Sequence, residues 1–274
     1  MLAGSATQQI RRTRWLKAQE HEQVFWQRSA AGIEQGTRGQ LDWYDWKARR
    51  LEAHLDSVAD RPRTGCILEI GSGPIGTINS LDWGQRFAID PLENFYNQKP
   101  SLIKLRKPGT TYLHGAGEGL PFSDASFSLV IIDNVIDHTH APAAILQEIS
   151  RVLDDSGYLY LTVNVHTRWG ALVHELLATL HIDKRHPYTF TSPRLRQFLA
   201  RHRFAVLSEE IEDYQQVKLA SLLSPNIKDK LKACIGLSEF DHAVLCAKTT
   251  ARRAATKTPR GVQEPVSSSD THAL

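Results

Sequence analysis

The chain has 274 residues, of which 41% are hydrophobic and 23% charged, and its formal net charge is +3. This length and composition are typical of a globular protein with a sizeable core, and they exclude a fibrous or largely disordered chain. The charge is too small to favour nucleic acid as a partner, because nucleic-acid binding usually needs a concentrated basic face. The three cysteines do not make a disulfide framework and favour a reducing compartment.

Residues 1–62 are predicted to form a helical N-terminal extension rich in aromatic side chains. This segment holds four of the six tryptophans, Trp15, Trp26, Trp43 and Trp46. We expect these rings to pack on the main domain, and a lid or substrate platform is the alternative. The start lacks the apolar core of a signal peptide, and no apolar run approaches the ~18 residues of a spanning helix. The sequence therefore predicts a cytoplasmic protein with no membrane span.

Residues 63–249 alternate strand and helix signals, which predicts an α/β domain with a parallel sheet and helices on both faces. Seven strands are predicted: Cys66–Ile70, Arg86–Asp90, Tyr112–Gly115, Ser128–Asp133, Gly157–Asn164, Phe204–Glu210 and His242–Lys248. Helical insertions are predicted at 165–190 and 214–240, and a disordered tail at 250–274. In the first insertion six apolar side chains share one helical stripe, which we expect to pack against the domain: Trp169, Leu172, Val173, Leu176, Leu177 and Leu180.

The first predicted strand runs directly into a glycine-rich turn, Gly71-Ser72-Gly73-Pro74-Ile75-Gly76. Helix-compatible residues follow at 77–81. Glycines let the backbone approach a ligand closely, and the N–H groups of a first helical turn would point at it. The pattern predicts a cradle for an anionic or nucleoside-containing ligand.

An acidic residue, Asp90, ends the second predicted strand. A carboxylate at this place can accept hydrogen bonds from both hydroxyls of a ribose, although an ordinary strand-end acid would look the same. After the third strand, a turn at 117–122 with the sequence G-E-G-L-P-F is placed to contact an adenine edge.

Three short motifs occur in this order, and together they are specific for one protein family: L-E-I-G-S-G at 68–73, L-P-F-S-D-A-S-F at 120–127 and E-I-S-R-V-L at 148–153. The run from 67 to about 164 resembles the core of class I S-adenosylmethionine-dependent methyltransferases, in the broad branch that includes the ubiquinone and menaquinone C-methyltransferases. The resemblance implies a Rossmann-like, seven-stranded, mostly parallel sheet whose last strand is antiparallel. It also implies S-adenosylmethionine as the cofactor.

The resemblance assigns cofactor-binding roles by position. Gly71 and Gly73 would hold the loop beneath the methionine part of the cofactor. Glu69 matches the family's acid near the cofactor's amino group, and Asp90 matches its ribose-binding acid.

Four further positions follow from the same resemblance. Gly117 and Glu118 match the segment that touches adenine, and Asp133 and Asn134 match the stretch that lines the methionine and substrate side. The chain departs from the family pattern at Ile75, where the third glycine usually stands, and at Ala116, where an acid often precedes the adenine segment.

Methyl transfer from a sulfonium is an in-line displacement, so the protein must mainly align nucleophile, methyl and sulfur. A base is needed only if the nucleophile must lose a proton. Asp137 and His138, just past the fourth strand, are the candidate catalytic residues, with His166 and His186 as further candidates. No metal site is predicted, because no histidine pair has convincing ligand spacing.

The sequence therefore predicts a methyltransferase acting on a small-molecule or glycan-type acceptor. The glycan interpretation comes from segment 186–191, which is similar to segments of small-molecule and polysaccharide-associated methyltransferases. Two alternatives stay open: an NAD-linked Rossmann oxidoreductase, and a catalytically silent methyltransferase-like binding protein. The acceptor atom and the oligomeric state are not predicted.

Overall fold

The computed structural model describes residues 2–37, 43–58, 63–179 and 188–249, with the backbone alone at 2–12, 14 and 177–179. The predicted tail at 250–274 and the candidate His186 lie outside these residues. The division of the chain at 62 and 249 stays a prediction.

A seven-stranded sheet forms the centre of the molecule. Its strands are β1 Cys66–Ile70, β2 Gln85–Asp90, β3 Thr110–His114, β4 Phe127–Asp133, β5 Leu153–Val165, β6 Phe204–Ile211 and β7 Phe240–Lys248. Their spatial order is β3-β2-β1-β4-β5-β7-β6. All pairings among the first five strands are parallel, and β7 runs antiparallel to both β5 and β6. The predicted fold class is confirmed, including the antiparallel last strand.

Helices cover both faces of the sheet and its carboxyl edge. They are α1 Leu2–Glu34, α2 Trp43–Val58, α3 Glu93–Tyr96, α4 Pro100–Ile103, α5 Pro142–Val152, α6 Arg168–Thr179, α7 Ser192–Arg201, α8 Tyr214–Leu223 and α9 Ile227–Cys234. Single 3-10 turns occur at Thr77–Ser80 and Ile136–His138. The helix α5 shows why these elements form where they do. Pro142 begins it, and Ile145, Ile149 and Val152 recur on the stripe that enters the core.

The N-terminal helices are integral to the packing. On one face of the sheet, Leu51 of α2 packs with Ile67, Ile131 and Tyr160. At the carboxyl edge, a separate cluster joins α1 to the domain: Trp26, Ala30, Tyr44, Ile75, Tyr96 and Leu102. The expectation that the N-terminal rings pack on the domain is confirmed for Trp26 and Tyr44, whereas the Trp46 side chain is exposed.

The predicted packing of the α6 stripe is wrong for three of its six residues, Val173 is partly buried, and the Leu177 side chain and Leu180 lie outside the described residues. Three of its apolar side chains are mostly exposed: Trp169 (60%), Leu172 (51%) and Leu176 (56%). The helix instead turns its smaller Ala171 and the side chain of His174 inward. Amphipathic spacing identified the helix correctly but could not tell which partner its apolar stripe meets.

The helix expected after the glycine-rich turn is also shorter than predicted. It is a single 3-10 turn, Thr77–Ser80, and the chain is extended again at Leu81. The β-branched Thr77 and Ile78 lose rotamer freedom in a helix, and Asn79 and Ser80 favour turns, so the segment has little tendency to continue.

Candidate active site

A cavity of about 320 Å³ opens at the carboxyl ends of β1, β2 and β4. In the sheet, β2 and β3 follow β1 on one side, and the chain then returns to place β4 on the other side of β1. The cavity therefore lies at the topological switch point, where doubly wound sheets bind ligands. The sheet supplies one wall of the cavity, and α1 and α2 supply the opposite wall.

The glycine-rich turn is held against the end of β2 by the carboxylate of Asp90. The Gly73 N–H donates to Asp90 Oδ2 at 2.8 Å, and the Leu92 N–H donates to Oδ1 at 2.7 Å. Gly71 and Gly73 have φ of +70° and +62°, and a Cβ at Gly71 would lie 2.5 Å from the Val135 side chain. Asp90 lines the cavity, and each of its oxygens keeps a further lone pair for a ligand.

The carboxylate of Glu69 is committed to the backbone of the following turn. It accepts hydrogen bonds from Thr77 N–H at 3.0 Å and from Ile78 N–H at 2.7 Å. The expectation that these N–H groups point at a ligand is therefore wrong. A Cβ at Gly76, where φ is +80°, would lie 2.5 Å from Glu69 Oε2. Glycine is needed at 76 rather than at 75 because the Glu69 carboxylate occupies that space.

Asp133, at the end of β4, receives three donors at the cavity wall. Lys47 Nζ lies 2.6 Å from its Oδ2, Thr77 Oγ1 donates to the same oxygen at 3.3 Å, and Thr162 Oγ1 donates to Oδ1 at 2.5 Å. Lys47 comes from α2 and lines the cavity. No sequence motif pointed to Lys47. Its one local signal is a lysine within the aromatic run at 43–47.

The cavity wall opposite the sheet is aromatic. The Trp26 indole packs edge-on against Tyr96, with ring centroids 6.2 Å apart, and its Nε1 donates to Glu22 Oε1 at 2.9 Å. The Tyr44 hydroxyl would lie 3.3 Å from a Cβ at Gly73, so α2 packs directly on the glycine-rich turn. The sequence shows that this segment is rich in rings, but it does not show that the segment lies at the site.

The structure brings together seven of the ten predicted site residues. The residues that line the cavity are Glu69, Gly71, Gly73, Asp90, Asp133, Asn134 and His138. The other three lie off its lining. Gly117 is buried, where an added Cβ would meet Ile70 at 2.7 Å, and Glu118 Oε1 lies 2.9 Å from His140 Nδ1. The adenine-contact role of Gly117 and Glu118 stays a prediction.

The candidate catalytic pair is adjacent. His138 Nε2 lies 3.6 Å from Asp137 Oδ2; Asp137 is buried, and about a third of the His138 side chain is accessible. His166 is buried beside His174, with ring centroids 5.0 Å apart, and is not part of the cavity lining. The geometry therefore favours His138 over His166 as the group that a ligand in the cavity would meet.

The charges of the cavity favour a cationic ligand. Three acids, Glu22, Asp90 and Asp133, line it against one lysine, Lys47, whereas burial raises the pKa of the fourth acid, Glu69, to about 8, so that Glu69 adds no full charge at neutral pH. Within the described ranges, no group of three or more His, Cys, Asp or Glu is placed to hold a metal ion. None of the helices in the described part of the chain is long and apolar enough to cross a membrane.

Burial of two of these acids makes folding stability depend on pH. Desolvation raises the pKa of Glu69 to about 8 and that of Asp90 to about 6, with the backbone donors opposing both shifts. Between its ordinary pKa of 4.5 and about 8, Glu69 holds a proton in the folded state that the unfolded chain has lost. The free energy of unfolding should therefore fall as pH rises through this window, by up to about 1.4 kcal/mol per pH unit for each such group.

We expect Glu69→Gln to flatten this slope between pH 6 and 8, where Asp90 contributes little, in urea unfolding measured across that range. The exposed Glu20→Gln is the matched control and should keep the wild-type slope. An unchanged slope in Glu69→Gln would show that Glu69 is ionised in the folded protein.

The fold and the cavity define a doubly wound α/β protein with a nucleoside-sized cleft at its switch point. Residues 68–161 match the family model described as a methyltransferase domain. A Mycobacterium tuberculosis protein of uncharacterised function is 29% identical over 210 residues, which cover 73% of this chain and 70% of that protein.

Two solved structures share the fold. A Bacillus halodurans protein, proposed to be a methyltransferase, aligns over 72% of this chain and 98% of its own, with a TM-score of 0.52 and 18% identity. The geranyl diphosphate C-methyltransferase of Streptomyces coelicolor, crystallised with S-adenosyl-L-homocysteine, aligns over 74% and 79%, with a TM-score of 0.50 and 10% identity. Residues 68–161 therefore carry a methyltransferase domain of the class that uses S-adenosylmethionine. This match argues against the NAD-linked oxidoreductase.

Proposed function

We propose that this methyltransferase transfers the methyl group to a small-molecule or glycan-type acceptor that enters the cavity between the sheet and α1. The observation that carries the proposal is the wall formed by α1 and α2 over the switch point. A cavity of about 320 Å³ is at the lower end of small-molecule sites, so beside the cofactor it admits only a small acceptor or the end of a chain. The acceptor is a small molecule or the end of a glycan chain.

The residues present fit S-adenosylmethionine. Asp90 has lone pairs left for the ribose hydroxyls, and the Gly71–Gly73 backbone leaves room where side chains would close the cavity. Because the Glu69 carboxyl accepts the Thr77 and Ile78 N–H groups, we assign the anionic partner of the ammonium group to Asp133 instead of Glu69. Lys47, bonded to Asp133 through one of its three N–H donors, offers a cation for the methionine carboxylate. The net negative cavity suits a ligand that carries a sulfonium.

The bound cofactor supplies an activated methyl group on a positively charged sulfur. What remains for the protein is alignment of the acceptor, which can contribute on the order of 7–11 kcal/mol to lowering the barrier. The aromatic wall of α1 and α2 excludes water and limits the acceptor's positions. His138, whose Nε2 lies 3.6 Å from the Asp137 carboxylate, would take the proton from an acceptor hydroxyl or amine.

The experiment is a labelled-methyl transfer assay on cell lysate separated into an ultrafiltrate, a glycan fraction and a macromolecular fraction. We expect label in the ultrafiltrate or glycan fraction, and loss of this labelling in Asp90→Ala. Label confined to protein or RNA would overturn the proposed acceptor class. Calorimetry with S-adenosylmethionine and S-adenosylhomocysteine runs in parallel, and binding of neither would favour the catalytically silent alternative.

A further inference from the structure

Three helices carry large apolar side chains that point into solvent. These side chains lie on α6, α8 and α9 and just past the end of α9, and 48–79% of each residue is exposed. We call this set the apolar ridge: Trp169, Leu172, Leu176, Leu219, Leu223, Ile227, Leu231 and Ile235. All ten residues of α8 are described, and none of them is buried. Single exposed apolar residues are ordinary, but a set of this size marks an interaction surface.

The ridge is one surface rather than scattered positions. The Trp169 Nε1 of α6 donates to the Ile235 carbonyl at the end of α9, at 3.1 Å. A Cβ at the neighbouring Gly236 would lie 3.1 Å from Trp169 and 3.7 Å from the Tyr214 hydroxyl, which begins α8. Along α8 and α9 the exposed apolar residues recur at every fourth position from 219 to 235.

Lysines flank the ridge on both sides of α9. Ile227 and Leu231 point away from the body of the protein, because Ala233 on the opposite side of the helix is fully buried. At about 100° per residue, Lys228 lies on one flank of this outward row and Lys230 on the other. Both lysines are exposed.

We infer that the apolar ridge docks this enzyme on the surface of a membrane containing anionic lipid. A row of leucine and isoleucine that projects outward can enter the boundary between headgroups and acyl chains, and flanking lysines can reach lipid phosphates. The positive charges of Lys228 and Lys230 favour an anionic surface, and side chains that project outward can insert into a lipid surface, which deforms around them. This inference does not depend on the proposed acceptor.

Topology directs this surface toward the catalytic side. The helix α6 follows β5, α8 follows β6, and α9 leads into β7, which starts beside the end of β5. The end of β5 lies at the carboxyl edge of the sheet, and the candidate active site lies at the same edge. Docking through the ridge therefore brings the catalytic edge of the protein toward the lipid surface.

The test is co-sedimentation of the full chain with phosphatidylcholine vesicles, with and without phosphatidylglycerol. We expect binding to the anionic vesicles that weakens with added salt. Lys228→Gln/Lys230→Gln should reduce this affinity about tenfold or more, since each lysine near an anionic surface contributes several-fold. Leu223→Gln/Leu231→Gln should reduce it at least tenfold as well.

The matched control is Leu16→Gln/Val24→Gln, which replaces two side chains of α1 that are also about half exposed. It should bind vesicles like the wild type, and all variants should keep the wild-type circular dichroism and S-adenosylhomocysteine affinity. Absence of vesicle binding by the wild type overturns the inference, as does an equal loss in the control. A wild-type dimer that Leu223→Gln/Leu231→Gln converts to a monomer, without vesicle binding, would assign the ridge to a second copy of the chain instead.

Discussion

Replacing Asp90 with alanine should raise the dissociation constant for S-adenosylhomocysteine on the order of 100-fold. A hydrogen bond to a charged group contributes about 1.5–3 kcal/mol when the partner is otherwise left unsatisfied. Asp90 is almost fully buried, and its two oxygens also accept the Gly73 and Leu92 N–H groups, so the variant loses the ribose acceptor and the anchor of the glycine-rich turn together. Isothermal titration calorimetry measures the change.

Loss of the ribose acceptor can be separated from loss of the turn's anchor by comparing two nucleosides that differ only in the ribose hydroxyls. Wild type should prefer adenosine to 2′,3′-dideoxyadenosine, and Asp90→Ala should lose that preference if the carboxylate binds the ribose hydroxyls. The exposed Asp82→Ala is the matched control and should bind like wild type. If the preference persists in Asp90→Ala, the carboxylate serves the turn alone and the ribose is bound elsewhere.

The elements that sequence predicted well are those fixed by neighbouring residues. The strand Cys66–Ile70 and the turn that follows are determined by a short apolar run and by glycines, which adopt positive φ without the strain that a side chain would add. The acid at the end of β2 needs only its strand to be placed correctly. For this reason the amino-acid pattern alone was enough to predict that Gly71, Gly73 and Asp90 lie together at one cavity.

The residues that sequence missed or misjudged depend on contacts between distant segments. Position 76 needs glycine because the Glu69 carboxyl, which accepts the Thr77 N–H of the following turn, occupies the space of a Cβ there. Lys47 reaches Asp133 across 86 positions of sequence, through a helix whose docking no periodicity specifies. The exposure of Trp169 likewise depends on which segments pack over α6, which amphipathic spacing cannot report.

Replacing Lys47 with methionine should weaken S-adenosylhomocysteine binding at least tenfold and leave 5′-methylthioadenosine binding within about twofold. The second ligand lacks the amino-acid part, so it cannot use a cation that binds the methionine carboxylate. Methionine keeps most of the apolar stem of the lysine, which preserves the packing of that stem. Competition calorimetry with the two ligands gives both affinities on the same protein.

The same substitution has a stability consequence that must be measured beside it. Asp133 is nearly buried, and without Lys47 it keeps the hydroxyl donors Thr77 and Thr162 but loses its paired cation. We expect a loss of about 1–3 kcal/mol in the free energy of unfolding, less than for a fully buried pair because Lys47 is partly exposed. Lys107→Met, which breaks an exposed pair with Asp45, is the control and should change neither affinity nor stability appreciably. An equal loss of affinity for both ligands would mean that Lys47 acts only through Asp133, and the methionine carboxylate would then have to be bound by the backbone of the glycine-rich turn.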